Sequence, residues 1–123
     1  MNKRALILFA HGARDPRWAE PFQRLQALVK AQSPELVVEL AFLELMTPRL
    51  PELMAELAQA GVTEVTVVPV FLGQGGHVRA DLPSIVDELK LQYPAVSFTI
   101  VEAVGENEQV LQAMASYCLG TLN

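Results

Sequence analysis

An α/β fold built on a mainly parallel four-stranded sheet is what this 123-residue sequence predicts, and three observations predict it. Short apolar runs alternate four times with longer stretches whose apolar residues recur every three or four positions, the pattern of a strand followed by an amphipathic helix. Clusters rich in Gly, Pro, Asp and Asn punctuate these units. The length suits one domain spanning residues 1–123, and with 51% hydrophobic residues the chain has enough apolar side chains for a real core. Strands linked through helices in one sheet take right-handed crossovers, which place helices on both faces. The expected strand order is 2-1-3-4.

Each unit has its own signal. The run "ALILFA" at residues 5–10 reads as a strand buried on both faces, followed by the turn-rich "HGARDP". Phe22, Leu25, Leu28 and Val29 then mark a helix over about residues 19–32, ended by Ser33-Pro34. "LVVELAF" at 36–42 is the second strand. Leu50, Leu53, Met54 and Leu57 form one face of the next helix, stopped at Gly61. Pro48 and Pro51 both suit a first helical turn, so this helix start stays open by three residues, with Thr47 as one candidate N-cap. "EVTVVPV" at 64–70 is the third strand. After a glycine-rich loop, a helix from about Leu82 carries Ile85, Val86, Leu89 and Tyr93 inward, with Asp81 as its expected N-cap. "VSFTIV" at 96–101 is the fourth strand, and Val110, Leu111, Met114 and Cys118 form the stripe of a closing helix.

Charge narrows the partners. A formal net charge of −5 and a pI near 4.9 do not suit a general nucleic-acid binder, which holds phosphates with clustered Lys and Arg. Cys118 is the single cysteine, so one chain cannot assemble an internal disulfide or a cysteine-ligated cluster. The apolar stretch before His11 is too short for a signal sequence or a membrane span. The expectation is a cytoplasmic protein without nucleic-acid or membrane partners.

The reactive residues collect at one edge. In open α/β sheets, ligands bind beyond the carboxyl ends of the strands, near the point where strand order reverses. His11 directly follows the first strand, Glu44 lies two residues past the second, and His77 lies in the loop after the third. With strands one and three adjacent, both histidines of the chain face one crevice. A single histidine after a strand is ordinarily a polar loop residue; two of two on one edge point to chemistry. Glu44 sits in "AFLELM", where an unpaired carboxylate among apolar neighbours is costly without a partner or a task. Arg14, Arg17 and Arg79 lie beside the histidines and suit an anion-facing rim, although surface charge alone would also account for them. Glu102 and Glu106 follow the fourth strand, where carboxylates also complement a helix dipole.

Neutral imidazole binds borderline divalent metals and accepts protons near neutral pH, so metal handling and proton abstraction are both open. A closed structural zinc site would take four ligands, usually with cysteines. A metal held here would be loosely bound and exposed, which suits transfer over storage. The glycine loop lacks the Lys-Ser/Thr pair of a nucleoside-triphosphate loop, and no G-x-G-x-x-G follows the first strand. A competing reading makes His11 a phosphate-accepting nucleophile with Arg14 and Arg79 as clamps. That resembles the histidine phosphatases, except that Ala10 stands where their pattern has an arginine.

The segments "LILFAHGARDPRW", "AFLELMTPRLPE", "VTVVPVFLGQGGHVRADLP" and "VEAVGENEQVLQAM" cover nearly the whole chain, and together they resemble the short-form sirohydrochlorin chelatases of the CbiX/SirB family. The resemblance implies the chelatase-like α/β fold and ATP-independent insertion of Co²⁺ or Fe²⁺ into sirohydrochlorin, for cobalamin or siroheme synthesis. Ni²⁺ is a further candidate metal. The resemblance places the family's two histidines on His11 and His77, as metal-handling residues, and its carboxylate on Glu44, assisting deprotonation. Arg14, Arg17, Gly75, Gly76 and Arg79 would then position the carboxylate-rich substrate. The final segment "VGENEQ" departs from the family's usual Gly-x-His/Asp-Pro flavour, which leaves roles for Glu106 and Asn107 in doubt. The histidine-rich stretch of some short members and the cysteines of the cluster-bearing plant forms are missing, so no tightly bound cofactor is implied. Short members resemble half of a two-domain chelatase, which suggests a C2 homodimer. A tetrapyrrole or metal carrier without turnover would use the same residues.

Overall fold

The computed structural model of the chain describes residues 3–73 and 76–122, with the side chains of residues 76–79 outside the description. Its four strands are β1 (Arg4–Ala10), β2 (Val37–Phe42), β3 (Glu64–Pro69) and β4 (Ser97–Ile100). They form one parallel sheet in the order β2-β1-β3-β4, as the alternating pattern predicts. The helices are α1 (Glu20–Gln32), α2 (Leu50–Gln59), α3 (Gly76–Gln92) and α4 (Glu108–Gly120). A 3₁₀ turn, Pro16–Ala19, precedes α1, and a second, Val104–Glu106, precedes α4.

Strand β1 is central because its side chains are apolar on both faces. Ala5, Ile7 and Phe9 point to one side, where they join Ala41, Val65 and Val67 beneath Leu50, Leu53, Met54 and Leu57 of α2 and Leu82, Val86 and Leu89 of α3. Burying each of the larger of these side chains contributes about 1.5–3 kcal/mol, so this layer dominates the stability. Phe9 meets Phe71 edge-on, with ring centroids 6.1 Å apart. On the opposite face Ala10, Phe42 and Ala19 pack with Trp18, Phe22 and Leu40 under α1. Gln26 of α1 also donates to the Val38 carbonyl at 2.8 Å.

The helix starts differ from expectation in two places. α2 begins at Leu50 with Arg49 as N-cap, and the Glu52 carboxylate accepts from the Arg49 N–H at 2.8 Å; Thr47 is not the cap. α3 begins at Gly76, six residues before Leu82, so Asp81 lies inside the helix and is not its N-cap. The sequence Asp-Leu-Pro looks like a cap followed by a first-turn proline, but Pro83 stands in the helix interior. A proline there removes one helical hydrogen bond. Burial of Leu82, Val86 and Leu89 in the main core outweighs that loss and sets the phase of the helix. The Ser84 hydroxyl donates to the Ala80 carbonyl in the same turn at 3.2 Å.

α4 forms where the spacing predicts it, but its stripe does not enter the core. Val110 is half-buried, and every residue from 111 to 122 is exposed. Among the described residues no helix is long and apolar enough to cross a membrane.

Candidate functional site

The β1–β2 ladder continues past the strands themselves. The Leu43 N–H donates to the Ala10 carbonyl at 2.9 Å and the Glu44 N–H to the His11 carbonyl at 3.0 Å, so His11 and Glu44 leave the sheet side by side. Gly12 makes this approach possible. Its φ is +101°, a conformation that L side chains rarely adopt, and a Cβ there would overlap the Glu44 carbonyl oxygen. The glycine of "HG" is thus a steric requirement of the Glu44 backbone. The result is an ion-pair geometry with His11 Nε2 3.6 Å from Glu44 Oε2, the two side chains 44% and 41% exposed.

A separation of 3.6 Å is long for a strong charge-assisted hydrogen bond, which spans about 2.7–2.9 Å. It is close to the separation of two ligand atoms sharing one small divalent ion. With metal–ligand distances of about 2.0–2.2 Å around a tetrahedral ion, two such atoms stand about 3.3–3.6 Å apart. A small side-chain adjustment would let the imidazole and the carboxylate hold one ion together.

The pair lies at the switch point of the sheet. β2 lies on one side of β1 and β3 on the other, and the Val70 N–H donates to the Phe9 carbonyl at 2.8 Å. α1 covers one face, while α2 and α3 cover the opposite one. His77 is the second residue of α3, in the first turn of a helix and not in a loop. Its side chain, that of Arg79 and all of Gly75 lie outside the described residues, and Gly76 is the first residue of α3. The structure therefore joins His11 to Glu44 and fixes only the backbone position of His77. Among the described residues no three His, Cys, Asp or Glu side chains gather as a metal cluster.

The two arginines beside His11 separate clearly. The Arg17 guanidinium is held by Asp15 at 2.8 Å, and the Asp15 carboxylate also accepts from the Arg17 N–H, capping the 3₁₀ turn. These bonds to Arg17 hold the Asp15 carboxyl below the usual carboxylate range, and Asp15 raises the Arg17 guanidinium in turn. Arg14 has no hydrogen-bond or ion-pair partner among the described residues, and it lines a cavity of about 500 Å³. Leu40, Phe42, Leu45 and Met46 supply apolar wall, and Gln23 adds a polar one.

Sequence reasoning missed Leu45. The loop after Glu44 must turn back so that the Phe42 N–H can reach the Pro48 carbonyl at 3.0 Å. Leu45 takes the turn at φ +68° and is 58% exposed. A bulky residue in this conformation costs on the order of 1–3 kcal/mol and commonly marks a functional constraint. No sequence pattern signals it, since turns of this kind ordinarily carry Gly or Asn.

Of the candidates after β4, Asn107 and Glu102 bond to each other at the start of α4. Asn107 accepts from the Val110 N–H at 3.1 Å as the cap of α4, and its amide donates to Glu102 at 2.8 Å. Glu106 lies in the 3₁₀ turn before α4.

Comparison with known proteins identifies the family. A curated sirohydrochlorin cobaltochelatase of Priestia megaterium is 26% identical over 111 residues, which are 90% of this chain and 36% of that protein. The chain thus spans about a third of that relative's length. The protein of the same description from Saccharolobus solfataricus is 29% identical over 96% of this chain and 95% of its own length. Among solved structures, a putative cobalamin biosynthesis CbiX protein of Marinobacter aquaeolei VT8 superposes with a TM-score of 0.85 at 30% identity, covering 97% of both chains. The sirohydrochlorin chelatase SirB of Bacillus subtilis subspecies spizizenii, solved in complex with cobalt, gives 0.78 at 25% identity, covering 93% of this chain and 49% of SirB. The CbiX family model matches residues 5–118, a span that begins inside β1, includes His11, Glu44 and His77 and ends in α4, so this chain belongs to the CbiX family.

Proposed function

We propose that the protein inserts a divalent metal ion, Co²⁺ first, into sirohydrochlorin without ATP, with His11 and His77 handling the ion and Glu44 assisting deprotonation. The juxtaposition of His11 and Glu44 at the switch point carries this reading. The relatives named as cobaltochelatases and the cobalt complex of SirB support the choice of metal. Fe²⁺ and Ni²⁺ suit the same donors; cobalt insertion would serve cobalamin synthesis and iron insertion siroheme synthesis.

Entry of a 2+ ion into the ring core releases two pyrrole protons. An imidazole at His11 replaces one or more waters of the aquo ion and holds it at the crevice. Glu44, 3.6 Å away, stabilises the ion's charge and is placed to take one proton as the pyrrole nitrogens bind the metal, and the imidazole that releases the ion takes the other. The metal is thus substrate, passed from side chains to ring nitrogens. The substrate's carboxylates need cationic partners because the protein carries net charge −5. Arg14 is available for this, with Arg79 as a further candidate; Arg17 contributes only by leaving Asp15. Gly75 and Gly76 would let the backbone approach the flat ring. A second copy of the chain would complete a cleft wide enough for the macrocycle, and the lone Cys118 suits work in a reducing cytoplasm.

Anaerobic absorbance spectra of sirohydrochlorin with Co²⁺, Fe²⁺ or Ni²⁺ and catalytic amounts of protein test the proposal. Metal-product bands should grow well beyond one equivalent of protein, and His11→Ala should lower kcat by about 10²–10⁴-fold, the usual range for a group that assists proton or metal transfer. Growth that halts at one equivalent would identify a carrier. Rates equal in wild type and His11→Ala would defeat the chelatase assignment.

A further inference from the structure

A leucine lying singly on the surface of a small domain ordinarily needs no explanation. Two in this chain differ by where they stand and how their backbones are held. Leu45, directly after Glu44, and Leu72, in the segment after β3, are 58% and 64% exposed. His11 leaves β1, the strand between β2 and β3, so the two leucines flank it at the same edge of the sheet. The ends of β2 and β3 are two strand spacings apart, about 10 Å, which is comparable with the width of a tetrapyrrole ring.

Both backbones are pinned while the side chains stay in water. The turn at Leu45, φ +68°, is closed on either side, by the Glu44 N–H on the His11 carbonyl and the Phe42 N–H on the Pro48 carbonyl, each at 3.0 Å. The Leu72 backbone lies against Gly105, where a Cβ would overlap the Leu72 carbonyl oxygen, and the Gly105 N–H donates to the Phe71 carbonyl at 2.9 Å. A residue needed only to make the Leu45 turn would be Gly or Asn. A leucine there is unfavourable twice, through backbone strain and through apolar surface left in water. Leu45 also lines the cavity in which Leu40, Phe42 and Met46 form apolar wall and Arg14 is a cation without a partner among the described residues. Apolar wall with one placed cation suits a ligand that has a flat apolar body and carboxylates at its margin.

We propose that Leu45 and Leu72 form an apolar sill on either side of His11, against which one face of the macrocycle lies, and that Leu45 is a specificity-determining residue for that flat ring. The inference rests on the chelatase reading and adds which side chains hold the ring. Covering two leucines that water now wets favours the bound ring through the hydrophobic effect. Because their backbones are pinned, the sill fixes the height of the ring above His11, so that its nitrogens meet the ion in one orientation. The strain at Leu45 is then part of the binding surface: the residue is poor for the fold and good for the ligand. Substitution should therefore move stability and ring affinity in opposite directions.

Anaerobic titration of metal-free sirohydrochlorin into the full chain, followed by absorbance, tests this beside thermal melts of the unliganded protein. Leu45→Gly should melt no lower than wild type and yet bind the ring about tenfold more weakly, the loss expected when a few methylenes leave an apolar contact. Leu45→Asn, equally suited to a left-handed turn, should repeat both results. Leu45→Met, which keeps the apolar surface, should bind like wild type, and Leu72→Ala should weaken the ring about tenfold. Co²⁺ titrated without the ring should bind wild type and Leu45→Gly alike. Unchanged ring affinity in Leu45→Gly or Leu72→Ala would overturn the sill and leave the chelatase reading standing. So would a Leu45→Gly protein that loses Co²⁺ and ring affinity together, since Leu45 would then act by placing Glu44, or one that both melts lower and binds the ring more weakly. A wild type that does not bind the ring would overturn both readings. Ring binding that follows the expected order without any metal insertion would support the sill and count against the chelatase.

Discussion

At the β1–β2 edge each backbone group that carries a candidate residue is tied to its neighbour: Glu44 bonds to His11, Leu43 to Ala10, and Gly12 lies against the Glu44 carbonyl. Beyond β4, by contrast, Asn107 caps α4, and among the described residues every position after Val110 is exposed, so the apolar stripe of the helix is uncovered. In the first region the positions of His11 and Glu44 depend on local sterics and ladder hydrogen bonds. The second region leaves its apolar side chains to solvent.

Two methionines give the largest test of this contrast. Met54 of α2 is fully buried, whereas Met114 of α4 is 39% exposed. Met54→Ala should lower unfolding free energy by about 2–5 kcal/mol. Met114→Ala should change it by less than about 0.5 kcal/mol in dilute subunits and by more at concentrations that favour association. Urea melts at both concentrations would show it, and equal effects of the two substitutions would erase the distinction between the regions.

Two glycines give an intermediate effect. Gly12→Ala should destabilise by about 2–3 kcal/mol through positive φ and backbone overlap, and should slow metal insertion by displacing Glu44. A Cβ at Gly120, the last residue of α4, meets nothing within 4 Å, so Gly120→Ala should stay within about 0.5 kcal/mol. Thermal melts with parallel activity assays would separate them. A Gly12→Ala protein of unchanged stability would mean that the Glu44 loop is free to move.

The smallest effect sharpens the site itself. Arg14→Ala should raise KM for sirohydrochlorin about tenfold, equivalent to about 1.4 kcal/mol, with kcat little changed. Arg17→Ala, which removes a residue already engaged by Asp15, should raise it by less than about threefold. The reverse order in steady-state kinetics would move the substrate's acidic groups away from the cavity that Arg14 lines.

Much of the fold was legible because its signals are local. The alternation of apolar runs with helical stripes marks four strands and four helices, and the connection rules then favour one strand order. His11 and Glu44 could be placed on one edge because each directly follows a strand. The start of α3 was not legible, since Asp-Leu-Pro satisfies the local rules for a helix start while the core contacts of Leu82, Val86 and Leu89 are long-range. Leu45 escaped for a similar reason: its left-handed turn is imposed by the return of the chain to β2 and leaves no trace in residue type. Arg14 and Arg17 look alike in sequence, and only the placement of Asp15 tells them apart.

By itself, the sequence determined the parallel α/β architecture, its strand order and the collection of imidazole and carboxylate groups at one sheet edge, because periodicity and chain connectivity suffice for these. The tertiary structure alone decided that His11 and Glu44 stand 3.6 Å apart, that Arg17 and not Arg14 is held by Asp15, and that the stripe of α4 finds no place in its own core. Those outcomes depend on distances between residues far apart in the chain, which packing and backbone sterics settle and local pattern does not carry.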